Sequence, residues 1–244
     1  MLIINGGLPR SGTVLVGNLA RLMVERRGLR WDRYNPQERR HLPEFLQVVR
    51  TYPAEPALIV HTHLIDDAIL RAASDRTDAR VIWNIRDPRD CLVSLMRLHD
   101  LNLNRALHAM GIYLAHAALV WDSDSKVLKI RYEDLRKDTG SLITAIAIAL
   151  GFALEPGEAV QLQAATSMDR HRSVMKGLSE TSEQVVTHVT KTRQMREDEV
   201  TLINDRHIQS GASGRWKEEL AAPEQKRVNE ALRPWLDRFG YSMD

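Results

Sequence analysis

Gly6-Gly7-Leu8-Pro9-Arg10-Ser11-Gly12-Thr13 is the stretch of this chain with the clearest chemical content. It follows a short apolar run, Leu2-Ile3-Ile4-Asn5, and precedes an apolar-periodic segment carrying Val14, Leu15, Leu19, Leu22 and Met23. A strand, a glycine-flanked turn and a helix start, in that order, leave first-turn N–H groups without partners, and the helix dipole favours an anion beside them. The expected ligand is a phosphate. The nucleotide-hydrolase loop G-x-x-x-x-G-K-[ST] has the same glycine spacing. Here Thr13 and Val14 stand where its Lys-Ser/Thr pair would be, and the cation is Arg10, inside the loop. With no hydroxyl for magnesium at Val14, this is a phosphate cradle lacking the parts for metal-assisted phosphoryl transfer.

Other reactive groups follow three more apolar runs. They are His61-Thr62-His63, then Arg86-Asp87-Pro88-Arg89-Asp90 with Ser94 beyond it, then Tyr132-Glu133-Asp134. Residues two apart on a strand share a face, so His61 and His63 are expected side by side. With Asp66 and Asp67 they hint at a metal site, but the H-x-H-x-D-H arrangement lacks its last histidine and is out of register, so no metal is expected. Arg86 and Asp90 alone would be a plain surface ion pair, worth under about 1 kcal/mol. Ser94 and the N-terminal loop turn that reading toward a second phosphate. A phosphate loop, a histidine, an arginine with a serine and an aromatic would suit an adenine nucleotide phosphorylated at two places. Trp216 reads as a packing anchor, and His99, His108 and His116 as structural or exposed.

The elements that must position these groups are legible from periodicity. Ala57–Thr62, Arg80–Ile85 and Lys126–Tyr132 are short and apolar, and each precedes a helical pattern, the signature of a parallel sheet with crossover helices. Helices are predicted over Arg89–Leu98, Arg105–Trp121, Ser141–Leu150 (ended by Gly151), Glu158–Ala165 and Pro223–Phe239. No strand is expected after Phe152, and Met168–Ile208 reads as a polar, irregular loop or lid. The fold class is therefore α/β, a single domain over residues 1–244 with a central parallel sheet flanked by helices. Open parallel sheets bind ligands at the carboxyl ends of their strands, where all these groups lie.

Bulk properties narrow the function classes. The 244 residues are 43% hydrophobic and 27% charged with a formal net charge of +2, so nothing global demands nucleic acid. The arginines at 26, 27, 30, 33, 39 and 40 read as solvated helix and loop faces. The single cysteine, Cys91, excludes an intrachain disulfide and a thiolate metal cluster, which fits a reducing, cytoplasmic setting. No apolar run approaches the roughly 20 residues a membrane span needs, so no membrane anchor is expected.

The motifs also carry a resemblance. Leu8-Pro9-Arg10-Ser11-Gly12-Thr13 resembles the loop Y-P-K-S-G-T-T-W of sulfotransferases that use 3′-phosphoadenosine 5′-phosphosulfate (PAPS). Arg86 through Ser94 is similar to their R-[ND]-x-[KR]-D-x-x-x-S, and Tyr132-Glu133-Asp134-Leu135 to their Y-E-D-[LM]. Thr62-His63-Leu64 resembles the end of K-T-H-L, Thr166-Ser167-Met168 resembles T-S-F, and Gly211 to Lys217 resembles the end of R-K-G-x-x-G-x-W-K. The matches run in the family's order from about residue 8 to 217.

The resemblance implies roles. Arg10, Ser11, Gly12 and Thr13 would hold the 5′-phosphate and the transferring sulfuryl group. Arg86, Ser94 and the Gly211 backbone would hold the 3′-phosphate, the arginine's planar fork suiting a dianion. Tyr132 and Thr166 would approach adenine. His63 would be the general base, with Arg10 offsetting charge on the leaving oxygen, although His61 is a neighbouring alternative. The acceptor is expected to be a small molecule or a carbohydrate, and the product 3′,5′-adenosine bisphosphate (PAP). Five residues depart from the pattern. Val14 and Leu15 replace a threonine and an adenine-stacking tryptophan, His61 replaces a lysine, and Gln209-Ser210 replace an Arg-Lys pair that would grip the 3′-phosphate, with Arg215 or Lys217 as candidate substitutes. A magnesium-dependent kinase or hydrolase and a non-catalytic nucleotide-binding module are the alternative functions. An oligomer is possible.

Overall fold

Parallel strands buried on both faces read as continuous apolar runs, and β1 (Leu2–Gly7) is buried along its whole length. Its side chains alternate between two cores, Leu2 and Ile4 facing one and Ile3 the other. The computed structural model describes residues 1–123, 126–177, 185–189, 194–204 and 211–243. Helix α1 (Thr13–Arg26) follows β1, then β2 (Trp31–Tyr34), α2 (Leu42–Thr51), β3 (Ala57–Thr62), α3 (Asp67–Ser74) and β4 (Ala79–Ile85). Helices α4 (Pro88–His99) and α5 (Leu103–Trp121) lead to β5 (Val127–Arg131), followed by α6 (Tyr132–Lys137), α7 (Thr139–Leu150), α8 (Glu158–Ala165) and α9 (Met168–Gly177). The chain then forms β6 (Val185–Val189) and β7 (Gln194–Asp198), and ends with α10 (Trp216–Glu219) and α11 (Ala222–Phe239).

The first five strands make one parallel sheet in the order β2-β3-β1-β4-β5. Residues of α1, α7 and α8 pack with Ile3, Ile59 and Ile82 on one face, and residues of α2 to α5 and α11 pack with Leu2, Leu58 and Trp83 on the other. The connection from β1 runs toward β2 and that from β4 toward β5, so the order reverses between β1 and β4. That crevice is where an open α/β sheet binds its ligand.

Local chemistry explains several boundaries. Asp87 caps α4 by accepting from the Arg89 N–H at 2.9 Å, with Pro88 at the first helical position. Asp66, Asn102 and Asp138 cap α3, α5 and α7 in the same way. Gly151, left-handed at φ 78°, ends α7.

Three expectations are corrected. The segment from 168 to 208 is not wholly irregular: α9 and the antiparallel β6–β7 hairpin lie in it, so strand does occur after Phe152. Strand β2 and helices α2, α6 and α10 are additional to the elements predicted, β2 and α10 being only 4 residues long and α6 only 6. Gly6 and Gly7 belong to β1 rather than to the turn. A Cβ on Gly6 would sit 2.2 Å from the Trp83 ring, and one on Gly7 would sit 2.2 Å from the Asn84 carbonyl oxygen. These glycines let β1 and β4 approach each other.

Candidate active site

The loop after β1 is held by the protein's own polar groups. Leu8 N–H donates to the Asn84 carbonyl at 3.0 Å, and Asn5 Nδ2 donates to the Thr13 carbonyl at 2.8 Å. Ser11 Oγ donates to the Leu8 carbonyl at 2.6 Å, with the Asn84 carbonyl 3.2 Å away. The Ser11 hydroxyl is thus turned into the protein and closes the loop. Arg10 and Gly12 are both left-handed, at φ 69° and 89°. Gly12 is the N-cap of α1, so the N–H groups that follow it are the unpaired donors of the first turn. A Cβ on Gly12 would sit 3.1 Å from Tyr132 Cδ2.

This loop forms one wall of a cavity of about 630 Å³. Arg10, Gly12 and Thr13 line it from the loop, His63 from the end of β3, and Arg86 and Ser94 from the end of β4 and from α4. Tyr132, Thr166 and Gly211 complete the set from later elements. Of the ten residues expected to be catalytic or to hold the nucleotide, nine line it and Ser11 does not. The Thr166 hydroxyl is also engaged internally, donating to the Leu162 carbonyl at 2.8 Å.

Arg86 and Asp90 are not a surface pair. Their side chains are 8% and 0% exposed, and Arg86 Nη2 lies 3.5 Å from Asp90 Oδ2. Asp90 also accepts the Gly214 N–H at 2.8 Å and the Trp216 N–H at 3.2 Å. Arg86 Nη2 donates to the Ala212 carbonyl at 2.7 Å, Nη1 to the Arg10 carbonyl at 3.3 Å, and the guanidinium lies over the Tyr132 ring at 4.3 Å. Tyr132 Oη donates to the Gly211 carbonyl at 2.9 Å. Arg10 Nε donates to Ser94 Oγ at 2.9 Å. Two loops and two helix starts thus converge on one guanidinium.

His63 lies just past the end of β3, with its ring edge-on to His61 at 5.4 Å and to Tyr113 at 6.0 Å. Its Nδ1 is 2.8 Å from the Gly7 carbonyl. A carbonyl can only accept, so Nδ1 carries the proton and Nε2 is the basic nitrogen. Desolvation by burial pushes the imidazole down to about 4, against the pull of the Gly7 carbonyl and with help from the Arg10 charge. Neutral at pH 7, it can accept a proton. His61 differs: its Nδ1 faces Asn5 Nδ2 at 3.4 Å.

A family model described as the sulfotransferase domain matches residues 2–240. The chain belongs to the sulfotransferase family. Solved structures similar to it include a mouse sulfotransferase, SULT7A1, complexed with PAP, at 17% identity and TM-score 0.65, covering 96% of this chain and 83% of that one. A retinol dehydratase in complex with androsterone and the inactive cofactor PAP matches at 19% identity and TM-score 0.63, over 96% of this chain and 80% of that one. The same enzyme type with retinol and PAP matches at 19% and TM-score 0.61, over 96% and 81%. No curated protein matches the chain.

Other cavity residues of this sulfotransferase went unread in the sequence. Asn35 and Gln37 reach the wall from the β2–α2 connection, Tyr113 from α5, and Arg136 from α6. Gln37 Nε2 donates to the His61 carbonyl at 2.9 Å, tying that connection to β3. His99 is exposed, as expected, and also lines the cavity, where desolvation lowers its pKa. The β6–β7 hairpin and the turn after it contribute Glu197, Leu202 and Asn204. Of the two candidate substitutes for the missing cations, Arg215 lines the cavity but pairs with Glu219 at 3.0 Å. Lys217 instead stands over the Trp216 ring at 5.5 Å. Trp216 is 3% exposed with Arg89 over it at 4.1 Å, the packing anchor expected. Gln209 and Ser210 lie outside the described residues.

Proposed function

We propose that this sulfotransferase uses PAPS to sulfate a hydroxyl of a small-molecule or carbohydrate acceptor, releasing PAP, with His63 as the general base. The observation that carries the reading is the tautomer of His63, fixed by the Gly7 carbonyl at 2.8 Å on a cavity wall shared with Arg10. The family match and the PAP complexes of similar structures support the nucleotide. So does Arg86, whose Nε is buried without a hydrogen-bond partner among the described residues and can take an anionic oxygen.

When bound, PAPS supplies an activated sulfuryl group whose bridging oxygen leaves with the 5′-phosphate. Arg10, the Gly12–Thr13 backbone and the start of α1 hold that end, in a loop stiffened by Ser11. Arg86, Ser94 and Gly211 hold the 3′ end, and Tyr132 and Thr166 border adenine. His63 Nε2 takes the proton of the acceptor hydroxyl as its oxygen attacks sulfur in line, help typically worth 10²–10⁴-fold. Arg10 offsets the negative charge that grows on the leaving oxygen. Asn35, Gln37, His61 and Tyr113 give the base's side of the cavity hydrogen-bonding groups, which favours a hydroxylated acceptor. A cytoplasmic setting belongs to the same reading; among the described residues no helix is long and apolar enough to cross a membrane.

Thermal unfolding with PAP, 5′-AMP or ATP with magnesium tests this. Ligand at 100 times its dissociation constant adds about 2.7 kcal/mol, on the order of 5–10 °C in midpoint for a chain this size. The expected result is such a shift with PAP. A shift with ATP and magnesium alone would overturn the reading in favour of a kinase or hydrolase.

A further inference from the structure

The cavity's cations are unequally committed. Arg86 faces Asp90, and the pair is formally neutral. Arg97 and Arg215 both pair with Glu219. A phosphate monoester near pH 7 carries close to two negative charges, more than a neutralised arginine offsets by itself. The Arg-Lys pair expected before Gly211 is absent from the sequence, where Gln209 and Ser210 stand.

Arg136 is a further cation of the cavity, beside Gly211. It is one helical turn beyond Tyr132 on α6, and residues four apart share a helix face, so both line the cavity. The Cβ position of Gly211 is 2.9 Å from Tyr132 Oη and 3.8 Å from Arg136 Nη1. Arg86 holds the next residue of the same loop, through the Ala212 carbonyl at 2.7 Å, and covers the Tyr132 ring at 4.3 Å. Arg86 and Arg136 therefore reach one short loop, Gly211-Ala212, from the end of β4 and from α6. Among the described residues Arg136 has no ion-pair partner. The two carboxylates nearest it in sequence on α6 are Glu133, engaged with the Asp87 N–H and Tyr241 Oη, and Asp134.

We propose that Arg136 is a nucleotide-binding residue of this sulfotransferase, holding the 3′-phosphate together with Arg86 in place of the cations missing before Gly211. The assignment rests on reading the cavity as a PAPS site. Arg136 is exposed, so its substitution leaves the core untouched. Calorimetric titration of the wild type, Arg136→Gln, Arg136→Lys and Arg215→Gln with PAP and with 5′-AMP tests it. A charge-assisted contact near solvent predicts a loss of about tenfold in PAP affinity for Arg136→Gln. The 5′-AMP affinity should change less than about twofold, and Arg136→Lys should recover much of the loss, because the charge returns without the fork. Unchanged PAP affinity in Arg136→Gln, an equal loss for both nucleotides, or a 3′-phosphate-dependent loss in Arg215→Gln alone would each overturn the assignment. A wild type that binds 5′-AMP and PAP equally would overturn the PAPS reading itself, and Arg136 with it.

Discussion

The two walls of the cavity are made differently. The wall with Arg10, His63 and Arg86 is formed by the ends of β1, β3 and β4, strands whose residues are almost all buried. Short-range and strand-to-strand bonds hold it: Leu8 and Ser11 to Asn84, Asn5 to Thr13, His63 to Gly7. The opposite wall arrives from late in the chain and is tied on by single side chains. Asn18 Nδ2 donates to the Thr201 carbonyl at 2.9 Å, Arg33 to the Glu199 and Val200 carbonyls, and Asp90 accepts from Gly214 and Trp216. The first wall has a built geometry suited to chemistry, where small displacements are costly.

That contrast can be broken at defined points. The largest effect belongs to the first wall: His63→Ala should lower kcat by 10²–10⁴-fold and leave PAP affinity within about threefold, read by steady-state kinetics beside titration. Its pH signature is specific. The folded pKa of about 4 lies below the ordinary 6.5, so the His63 imidazole is neutral above the lower value. The acid limb of kcat/KM, which reports the free enzyme, should lie near pH 4 to 5 rather than 6.5. By the same sign, the stability His63 contributes is present above about pH 6.5 and is lost as pH falls toward 4. An acid limb at 6.5 would mean the imidazole is not desolvated.

Next comes the tie between the walls. Asp90→Ala leaves Arg86 buried without its carboxylate and frees two amides, a loss of about 3 kcal/mol or more. Chemical denaturation should show it, and a change below about 1 kcal/mol would make the pair ornamental. The smallest effect separates structure from chemistry within the loop. Ser11→Ala removes one buried hydrogen bond, about 1 kcal/mol, with kcat unchanged within about threefold. A tenfold loss of PAP affinity would return the Ser11 hydroxyl to the nucleotide.

The same contrast explains what could be read in advance. The residues at strand ends were legible because apolar runs, glycine spacing and cap residues are local signals, and a parallel sheet forces its strand ends together. Strand β2 was missed because Trp31-Asp32-Arg33-Tyr34 is half polar and lies at the sheet edge. The β6–β7 pair was missed because β7, Gln194-Met195-Arg196-Glu197-Asp198, is almost wholly polar and the two strands pair only with each other, outside the main sheet. Gly6 and Gly7 looked like turn residues because the sequence does not show that Trp83 and Asn84 press against them. Arg136 sits in a charged helix where only the fold brings Gly211 beside it.

The most direct test of the account is transfer itself. The protein would be incubated with PAPS labelled in its sulfuryl group and with pools of hydroxylated metabolites and oligosaccharides, and the label followed chromatographically. The account predicts that label moves to an acceptor in wild-type protein and that the His63→Ala protein is slower by 10²-fold or more. Label that never leaves PAPS in any pool, from a protein that binds PAP tightly, would contradict it and make the cavity a nucleotide-binding site without chemistry.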